Sequence, residues 1–227
     1  MAAIPSQGAD IPITNPADRQ VIALTRSCMQ RLPRDHDVRV GADAIILTAR
    51  RMTGSAPGAV LASGVAVVAG TSNNCRGRDR QGREGRTTGC GSGFGENGGA
   101  AELLAQAVKV VAAAWTRRGP ETALTDAFCR LAGAADAGDF LEGLYLRRYH
   151  LTAAAAPVIF QTAEAGDEVS RELLRWNGHE LASLAVGVIR QLGLEEETFE
   201  LILAGSLYAG SPAMVQAMEE AVHAVAP

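Results

Sequence analysis

Apolar residues recur at helical spacing near the start of the chain and predict two helices there. Asn15-Pro16 is typical of a helix start, with Asn as the N-cap and Pro at the first helical position. This helix should run to about residue 32, because Pro33 cannot continue it. A short strand at 38–40 follows, and an apolar segment over 44–52 predicts the second helix.

The next segment has the pattern of a β-meander. A Val-rich run over 59–69 lies between two glycines and predicts a buried strand. Residues 73–78 predict a second strand, and the Asp-Arg-Gln-Gly sequence at 79–82 is a turn signal. A third strand is expected over 83–87. Three strands joined by tight turns predict a three-stranded meander over about 59–87.

From residue 100 onward the apolar spacing is mainly helical. We expect helices at 100–116, from Thr122 or Thr125 to about 131, at 151–165 and at 168–192, the last of them ended by Gly193. A short buried strand over 199–204 precedes a turn bracketed by Gly205 and Gly210, and Pro212 begins a final helix. Strands and helices are therefore mixed in an α/β or α+β arrangement. The strand at 199–204 should join the sheet of the meander, and 100–192 should form a long helical insertion.

Composition places the chain among ordinary globular proteins. It has 227 residues, of which 47% are hydrophobic, and a formal net charge of −4. This length suits one large domain or one and a half small ones. The arginines between Arg76 and Arg86 have no aromatic residue among them, so they are typical of a solvated hairpin and not of a nucleic-acid site.

The cysteines and the length of the apolar runs indicate where in the cell the protein is expected. The four cysteines form no CxxC pair and have no His at metal-ligand spacing, so we expect reduced thiols and no metal site. The sequence shows neither a secretory signal nor an apolar run long enough to cross a bilayer. These features favour a cytoplasmic protein without membrane association.

The segment Gly70-Thr71-Ser72-Asn73-Asn74 follows the Val-rich strand and is a candidate phosphate-binding turn. Backbone N–H groups in such a turn can converge on an anion. Thr71 and Ser72 add hydroxyl donors, and Gly70 permits close approach. An ordinary hairpin turn of small polar residues is the alternative.

The glycine-rich stretch 89–99 is a second candidate. It contains Gly95, Glu96 and Asn97 and opens the helix expected at residue 100. A helix N-terminus preceded by glycines can bind an anion, or the Glu96 carboxylate could hydrogen-bond a sugar hydroxyl. The alternative is that Glu96 and Asn97 only cap the helix. Neither candidate is a Walker A loop, since no Gly-Lys-Ser/Thr follows.

Two further candidates lie at strand ends. Asp43 follows a predicted strand, where α/β proteins place functional groups, although it could simply cap the next helix. Gly205-Ser206 follows the strand at 199–204. A glycine there lets a flat ring lie against the backbone, and a plain strand-to-helix turn is the alternative. The histidines are scattered, and none is assigned a catalytic role.

These pieces occur together in the order found in the N-acetylglucosamine kinases. Residues 70–75 resemble their Gly-Thr-Gly-Ser-Asn-Cys segment, and residues 42–44 resemble the Asn-Asp-Ala segment that carries their catalytic aspartate. Residues 88–99 look like the Gly-Gly-Trp-Gly…Gly-Asp-Glu-Gly-Ser stretch, and residues 163–167 and 203–206 match the later pattern. The wider group is the BadF/BadG-type ATPase family, within the superfamily of sugar kinases, actin and heat-shock ATPases.

The resemblance implies a ribonuclease-H-like, actin-type ATPase fold that uses ATP and Mg²⁺. It assigns 1–58 to the remnant of an N-terminal lobe with the catalytic-Asp segment, and 59–227 to the C-terminal ATPase or kinase lobe. Asp43 would be the base on the sugar hydroxyl. The other implied contacts are Gly70, Thr71 and Ser72 with phosphate, Asn74, Gly95 and Glu96 with the sugar, and Gly205 and Ser206 with adenosine.

The implied reaction is ATP-dependent phosphorylation of a small-molecule sugar, N-acetylglucosamine or a related amino sugar, with a homodimer as the candidate assembly. The chain departs from the family pattern in places. Nothing in residues 1–40 resembles the family's first phosphate loop, Glu96 stands where the family has Asp, and Cys90 replaces a Trp. Two alternatives therefore stay open: an ATPase that drives a partner enzyme, and a non-catalytic sugar- or nucleotide-binding relative.

Overall fold

The predicted meander forms most of a four-stranded mixed sheet in a computed structural model, which describes residues 63–227. The strands are β1 (Gly64–Ala69), β2 (Asn73–Arg78), β3 (Glu84–Arg86) and β4 (Glu200–Ala204). Their order across the sheet is β3-β2-β1-β4. β1, β2 and β3 pair antiparallel, whereas β4 pairs with β1 in parallel. The expectation that 199–204 joins the sheet of the meander is confirmed.

A tight turn closes the hairpin between β2 and β3, as the sequence at 79–82 predicts. Gly82 donates its N–H to the carbonyl of Asp79 at 3.1 Å. The buried Asp79 carboxylate accepts the N–H of Arg83 at 2.8 Å and pairs with its guanidinium. Arg83 also donates to the carbonyl of Leu192 at 2.9 Å. The turn is thereby tied to the end of a long helix that lies across the sheet.

Six α-helices are described between residues 63 and 227. They are α1 (Ala100–Trp115), α2 (Leu124–Ala132), α3 (Ala137–Tyr145), α4 (Ala156–Glu164), α5 (Glu168–Leu192) and α6 (Pro212–His223). The first five lie between β3 and β4, so the predicted long helical insertion is confirmed. Gly193 ends α5 in the left-handed conformation, with φ of 66°, as its position after the apolar run predicts.

Some boundaries differ from the sequence prediction. The helix expected from residue 151 begins only at Ala156, after a 3₁₀ turn at Ala153–Ala155. α2 begins at Leu124, and the Thr122 hydroxyl accepts its N–H at 3.2 Å. Thr122, and not Thr125, therefore serves the first turn of α2.

The apolar pattern does not predict α3 (Ala137–Tyr145). This helix is short and contains two glycines, which are poor helix formers. Its start is fixed by Asp136, whose side chain accepts the N–H of Asp139 at 2.9 Å. Its apolar contact with α2 is the stacked pair of Phe140 and Phe128, whose ring centroids are 5.9 Å apart. Tertiary packing, and not local periodicity, stabilises α3.

α5 packs across the meander because two glycines leave room for it. A Cβ at Gly77 of β2 would lie 2.6 Å from Cγ1 of Val188 and 2.9 Å from Cδ1 of Leu192. A Cβ at Gly85 of β3 would lie 3.1 Å from the same two side chains. Both Val188 and Leu192 are buried. The helix therefore approaches the sheet more closely than any residue with a side chain would permit at these two positions.

We expect Gly77→Ala to destabilise the protein by about 1–3 kcal/mol, because the added methyl group overpacks the contact with α5. Urea unfolding followed by circular dichroism measures this loss. Gly64→Ala is the matched control in the neighbouring strand, since its Cβ would meet only the Glu200 carbonyl oxygen at an ordinary 3.5 Å. Equal stability changes in the two variants would contradict the close packing of α5 at Gly77.

The strand β4 is less buried than the sequence predicts. Leu201, Ile202 and Leu203 are half-buried and Glu200 is exposed. The cause is the position of β4 in the sheet, because it pairs with β1 on one side and with no described strand on the other. A buried strand was expected from its apolar residues alone, and edge position is not encoded in that pattern.

Asp43, the helices expected at 15–32 and 44–52, and the proposed N-terminal lobe at 1–58 lie outside the described residues. Within residues 63–227, none of the helices combines the length and the apolar character needed to cross a bilayer.

Candidate functional site

The carboxyl ends of the parallel strands β1 and β4 meet at one edge of the sheet. Val68 pairs with Ala204, so the residues that follow them, Ala69 and Gly205, lie side by side. A Cβ at Gly205 would lie only 2.1 Å from the carbonyl oxygen of Ala69. Gly205 also has φ of 116° and ψ of 157°, a conformation essentially restricted to glycine. The segment that begins at Gly205 therefore packs against Ala69, the residue that precedes Gly70.

Glycine at 205 has a packing role between β1 and β4. The space that a side chain would occupy is filled by the backbone of β1, so the glycine is required by the protein's own packing. Ser206 follows, is exposed, and begins a 3₁₀ turn at Ser206–Gly210.

The turn between β1 and β2 has N–H donors without an acceptor among the described residues. Gly70 donates its N–H to the carbonyl of Ser72 at 2.9 Å. Thr71 and Ser72 are exposed, and their N–H groups have no acceptor among the described residues. A Cβ at Gly70 would meet nothing within 4 Å. Within the part of the chain that the structure describes, this turn therefore combines open space with N–H and hydroxyl donors that have no partner, an arrangement that can bind an anion.

The start of α1 is docked on the same turn. Ala100 donates its N–H to the carbonyl of Gly70 at 2.8 Å, and Ala101 donates to that of Thr71 at 3.1 Å. A Cβ at Gly99 would lie 2.6 Å from the Cα of Ser72. Since these N–H groups of α1 are already bound by carbonyls, the anion site expected at the start of this helix is not formed in this structure.

Gly99 and Glu102 cap α1, and neither Glu96 nor Asn97 does so. The N–H of Gly99 donates to the Glu102 carboxylate at 3.0 Å, which is the half of a capping box made by the residue three positions into the helix, and Gly99 has no side chain to make the other half. The spacing of Gly99 and Glu102 is the sequence signal that could have identified this cap. The alternative role of Glu96 and Asn97 as caps is wrong for this structure.

Glu96 is buried, with 6% of its surface exposed, and its carboxylate binds the glycine-rich loop. Oε1 accepts the N–H of Thr88. Oε2 accepts the N–H of Cys90 at 3.0 Å and that of Gly91 at 3.2 Å. Burial alone would raise the pKa of the carboxyl group, but these hydrogen bonds outweigh it and hold the pKa of Glu96 below its usual range. The group is therefore an ionised, internally paired carboxylate at neutral pH.

Polar side chains anchor the segment that joins Glu96 to α1. Asn73 of β2 donates its side-chain N–H to the carbonyl of Glu96 at 3.1 Å. The Asn97 side chain donates to the Glu180 carboxylate of α5 at 2.8 Å. The fully buried Asn177 of α5 donates to the carbonyl of Gly98 at 3.1 Å. The phosphate-type turn and the glycine-rich stretch are thus held on one support formed by β2 and α5.

The remaining predicted sugar contacts lie on this support. Asn74 of β2 is half-buried, and its side-chain nitrogen lies 3.4 Å from the position of a Cβ on Gly89. Gly95 is exposed and ends the 3₁₀ turn Ser92–Phe94 in the left-handed conformation, with φ of 78°. Phe94, for which the sequence gives no functional signal, is 70% exposed on the same turn.

Tyr208 fixes the 3₁₀ turn that follows β4. Its hydroxyl donates to the carbonyl of Val67 in β1 at 3.3 Å. Burial raises the pKa of the Tyr208 hydroxyl, so it stays protonated and keeps this bond at neutral pH. Because Gly205 and Tyr208 both contact β1, the segment after β4 is held against β1 at two points.

The described cysteines and acidic residues form no metal centre. Cys75, Cys90 and Cys129 are free thiols, and residues 63–227 contain no group of three or more His, Cys, Asp or Glu side chains placed to hold an ion. Burial raises the pKa of the Cys75 thiol.

Comparison with known proteins gives concordant results. The sequence profile of the BadF/BadG/BcrA/BcrD ATPase family matches residues 34–226. The chain is 30% identical over 146 residues to an N-acetyl-D-glucosamine kinase of Dictyostelium discoideum, covering 63% of this chain and 46% of that protein. It is 26% identical over 148 residues to an N-acetylmuramic acid/N-acetylglucosamine kinase of Clostridium acetobutylicum, covering 63% and 48%.

Among solved structures, a Chromobacterium violaceum protein provisionally assigned as an N-acetylglucosamine kinase aligns with a TM-score of 0.50 and 24% identity. The alignment covers 70% of this chain and 51% of that protein. The chain spans about half the length of the curated relatives it matches.

Proposed function

We propose that this chain, which belongs to the BadF/BadG/BcrA/BcrD ATPase family, takes part in the ATP-dependent phosphorylation of a sugar. N-acetylglucosamine or a related amino sugar is the proposed acceptor, since two curated relatives are kinases of that type. The fold agrees with this family. Its mixed sheet and surrounding helices have the ribonuclease-H-like, actin-type architecture that the sequence predicts.

The observation that carries the proposal is the position of the two turns at the neighbouring ends of β1 and β4. The turn at 70–72 offers two hydroxyl groups, open space in front of Gly70, and N–H groups of Thr71 and Ser72 that have no acceptor within residues 63–227. The turn at 205–206 lies directly against the end of β1. We assign Gly70, Thr71 and Ser72 to the phosphates of ATP, and Gly205 and Ser206 to the neighbourhood of the adenosine.

The sugar would lie beside the phosphate turn, against Asn74 and the exposed 3₁₀ turn that ends at Gly95. In the reaction a sugar hydroxyl oxygen forms a bond to the γ-phosphorus while the bond from that phosphorus to the ADP oxygen breaks. Asp43, assigned by resemblance, would accept the hydroxyl proton. Phosphoryl transfer of this kind depends mainly on positioning and on charge stabilisation.

The proposed cofactor Mg²⁺ fits such a site without a dedicated protein cage. Mg²⁺ in kinases is commonly held by substrate phosphates, water and one or two carboxylates. It would neutralise charge on the phosphates. The turn at 70–72 supplies neutral donors only, so we expect the ion to arrive with ATP. The cytoplasmic location and the homodimer stay predictions.

We expect Ser72→Ala to weaken binding of a non-hydrolysable ATP analogue with Mg²⁺ by roughly five- to hundredfold, because hydrogen bonds to charged groups are stronger than neutral ones. Calorimetric titration measures the change. Ser183→Ala is the matched control, since the Ser183 hydroxyl is exposed on α5 and only donates to the Glu180 carbonyl at 2.7 Å. Equal affinity in the Ser72 variant and the control would remove the turn at 70–72 from the nucleotide site.

A further inference from the structure

We propose that Glu96 is a positioning residue. Its carboxylate anchors the loop 88–91 and so shapes the sugar side of the site, instead of contacting the sugar itself. The part of this inference that concerns the sugar rests on the proposed function. The anchoring of the loop stands on the structure alone.

Most of the acceptor positions of the Glu96 carboxylate are already in use. One oxygen binds the N–H of Thr88, and the other binds those of Cys90 and Gly91. A carboxylate has about four acceptor positions, and three of them are directed to the loop. The side chain is also buried, with 6% of its surface exposed. Burial and these three bonds leave at most one acceptor position, on Oε1, for any other donor.

The main chain of Glu96 is also held by hydrogen bonds. Its carbonyl accepts the Asn73 side chain at 3.1 Å, and its N–H donates to the carbonyl of Gly91 at 3.3 Å. Asn73 belongs to β2, directly after the phosphate-type turn. Glu96 therefore links the loop to the sheet through its side chain and its main chain together.

A glycine-rich loop needs such an anchor because glycine loses more conformational freedom on ordering than any other residue. Gly89, Gly91 and Gly95 all adopt positive φ here, at 73°, 81° and 78°. With the loop held at both ends by Glu96, the exposed turn Ser92–Phe94 and Gly95 are left facing outward for a ligand. The sugar contacts of this loop would then come from its exposed residues, and Glu96 would fix where they lie.

Amide hydrogen exchange on the sugar-free protein tests the anchor. In the wild type we expect the amides of Thr88, Cys90 and Gly91 to be protected, and that of the exposed Gly93 to exchange near the rate of a free peptide. In Glu96→Gln, which keeps the size but loses the charge and one acceptor, exchange at 88, 90 and 91 should speed up by roughly ten- to hundredfold. Amides of α5 should keep their wild-type protection.

Glu180→Gln is the matched control. It removes one negative charge beside the same stretch and still offers an oxygen to Asn97, so the loop amides should keep wild-type exchange. Unprotected loop amides in the wild type would overturn the inference. Because this measurement uses the wild type, it does not depend on whether the variant folds. Unchanged loop exchange in a folded Glu96→Gln protein would overturn it as well.

Calorimetry with N-acetylglucosamine separates this inference from the proposed function. Faster loop exchange together with weaker sugar binding in Glu96→Gln supports both. Faster loop exchange in a protein that binds no sugar supports the anchor and counts against the proposed function. Weaker sugar binding with wild-type loop exchange would make Glu96 a direct sugar ligand and overturn the inference.

Discussion

Gly205→Ala should destabilise the protein by about 2–6 kcal/mol, because two separate costs act at this position. The backbone conformation is one that residues with a side chain adopt only at about 1–3 kcal/mol. The new Cβ would also lie 2.1 Å from the Ala69 carbonyl oxygen, and overpacking of this kind costs about 1–3 kcal/mol. Since β1 backbone cannot rotate away as a side chain can, the ends of β1 and β4 must separate.

Urea unfolding measures this loss, and Gly187→Ala gives the matched control. Gly187 lies within α5, and a Cβ there would meet nothing within 4 Å. Replacing a helical glycine by alanine should raise stability by roughly 0.5–1 kcal/mol. A Gly205→Ala protein that loses less than about 1 kcal/mol would contradict the contact between the two strand ends, and with it the joint nucleotide site.

Asp43→Asn should lower the turnover rate of the active enzyme by roughly 10²–10⁴-fold, the usual contribution of a general base. The substitution keeps size and capping ability, since Asn caps a helix about as well as Asp. Stability and sugar affinity should change little, because the lost interaction is made mainly in the transition state. If Asp43 were only a helix cap, the same change would be nearly silent in rate as well.

Asp136→Asn provides the comparison for Asp43→Asn. Asp136 is an established cap in the structure, where it accepts the N–H of Asp139 at 2.9 Å at the start of α3, and no chemistry is proposed for it. We expect wild-type turnover from this variant in a steady-state kinase assay. An Asp43→Asn enzyme that keeps a tenth or more of the wild-type rate would remove Asp43 from the mechanism.

The meander and its turns could be predicted from the sequence because their signals are local. β2 occupies the predicted residues, and the Asp79 turn follows from Asp and Gly at its first and last positions. Gly193 and Pro212 mark helix boundaries in the same local way. The helix α3 has a local signal only at its start, in the Asp136 cap, and its stability comes from Phe140 packing on Phe128 of α2.

The candidate site could be predicted only in part. The order of the segments at 70–74 and 205–206 is visible in the sequence, and parallel pairing of β1 with β4 then brings them together. The partners of Glu96 could not be predicted, since they are backbone N–H groups whose directions depend on three glycines with positive φ. The role of Gly205 as a packing position likewise depends on a strand more than a hundred residues away along the chain.

Sugar-dependent release of ADP is the most direct test of the central claim. The purified protein is supplied with ATP and Mg²⁺, and ADP is followed by a coupled assay with and without N-acetylglucosamine and other hexoses. The proposed function predicts ADP release that requires a sugar and is fastest with N-acetylglucosamine or a related amino sugar. ADP release that is the same without sugar, or sugar binding without any ADP release, would contradict it.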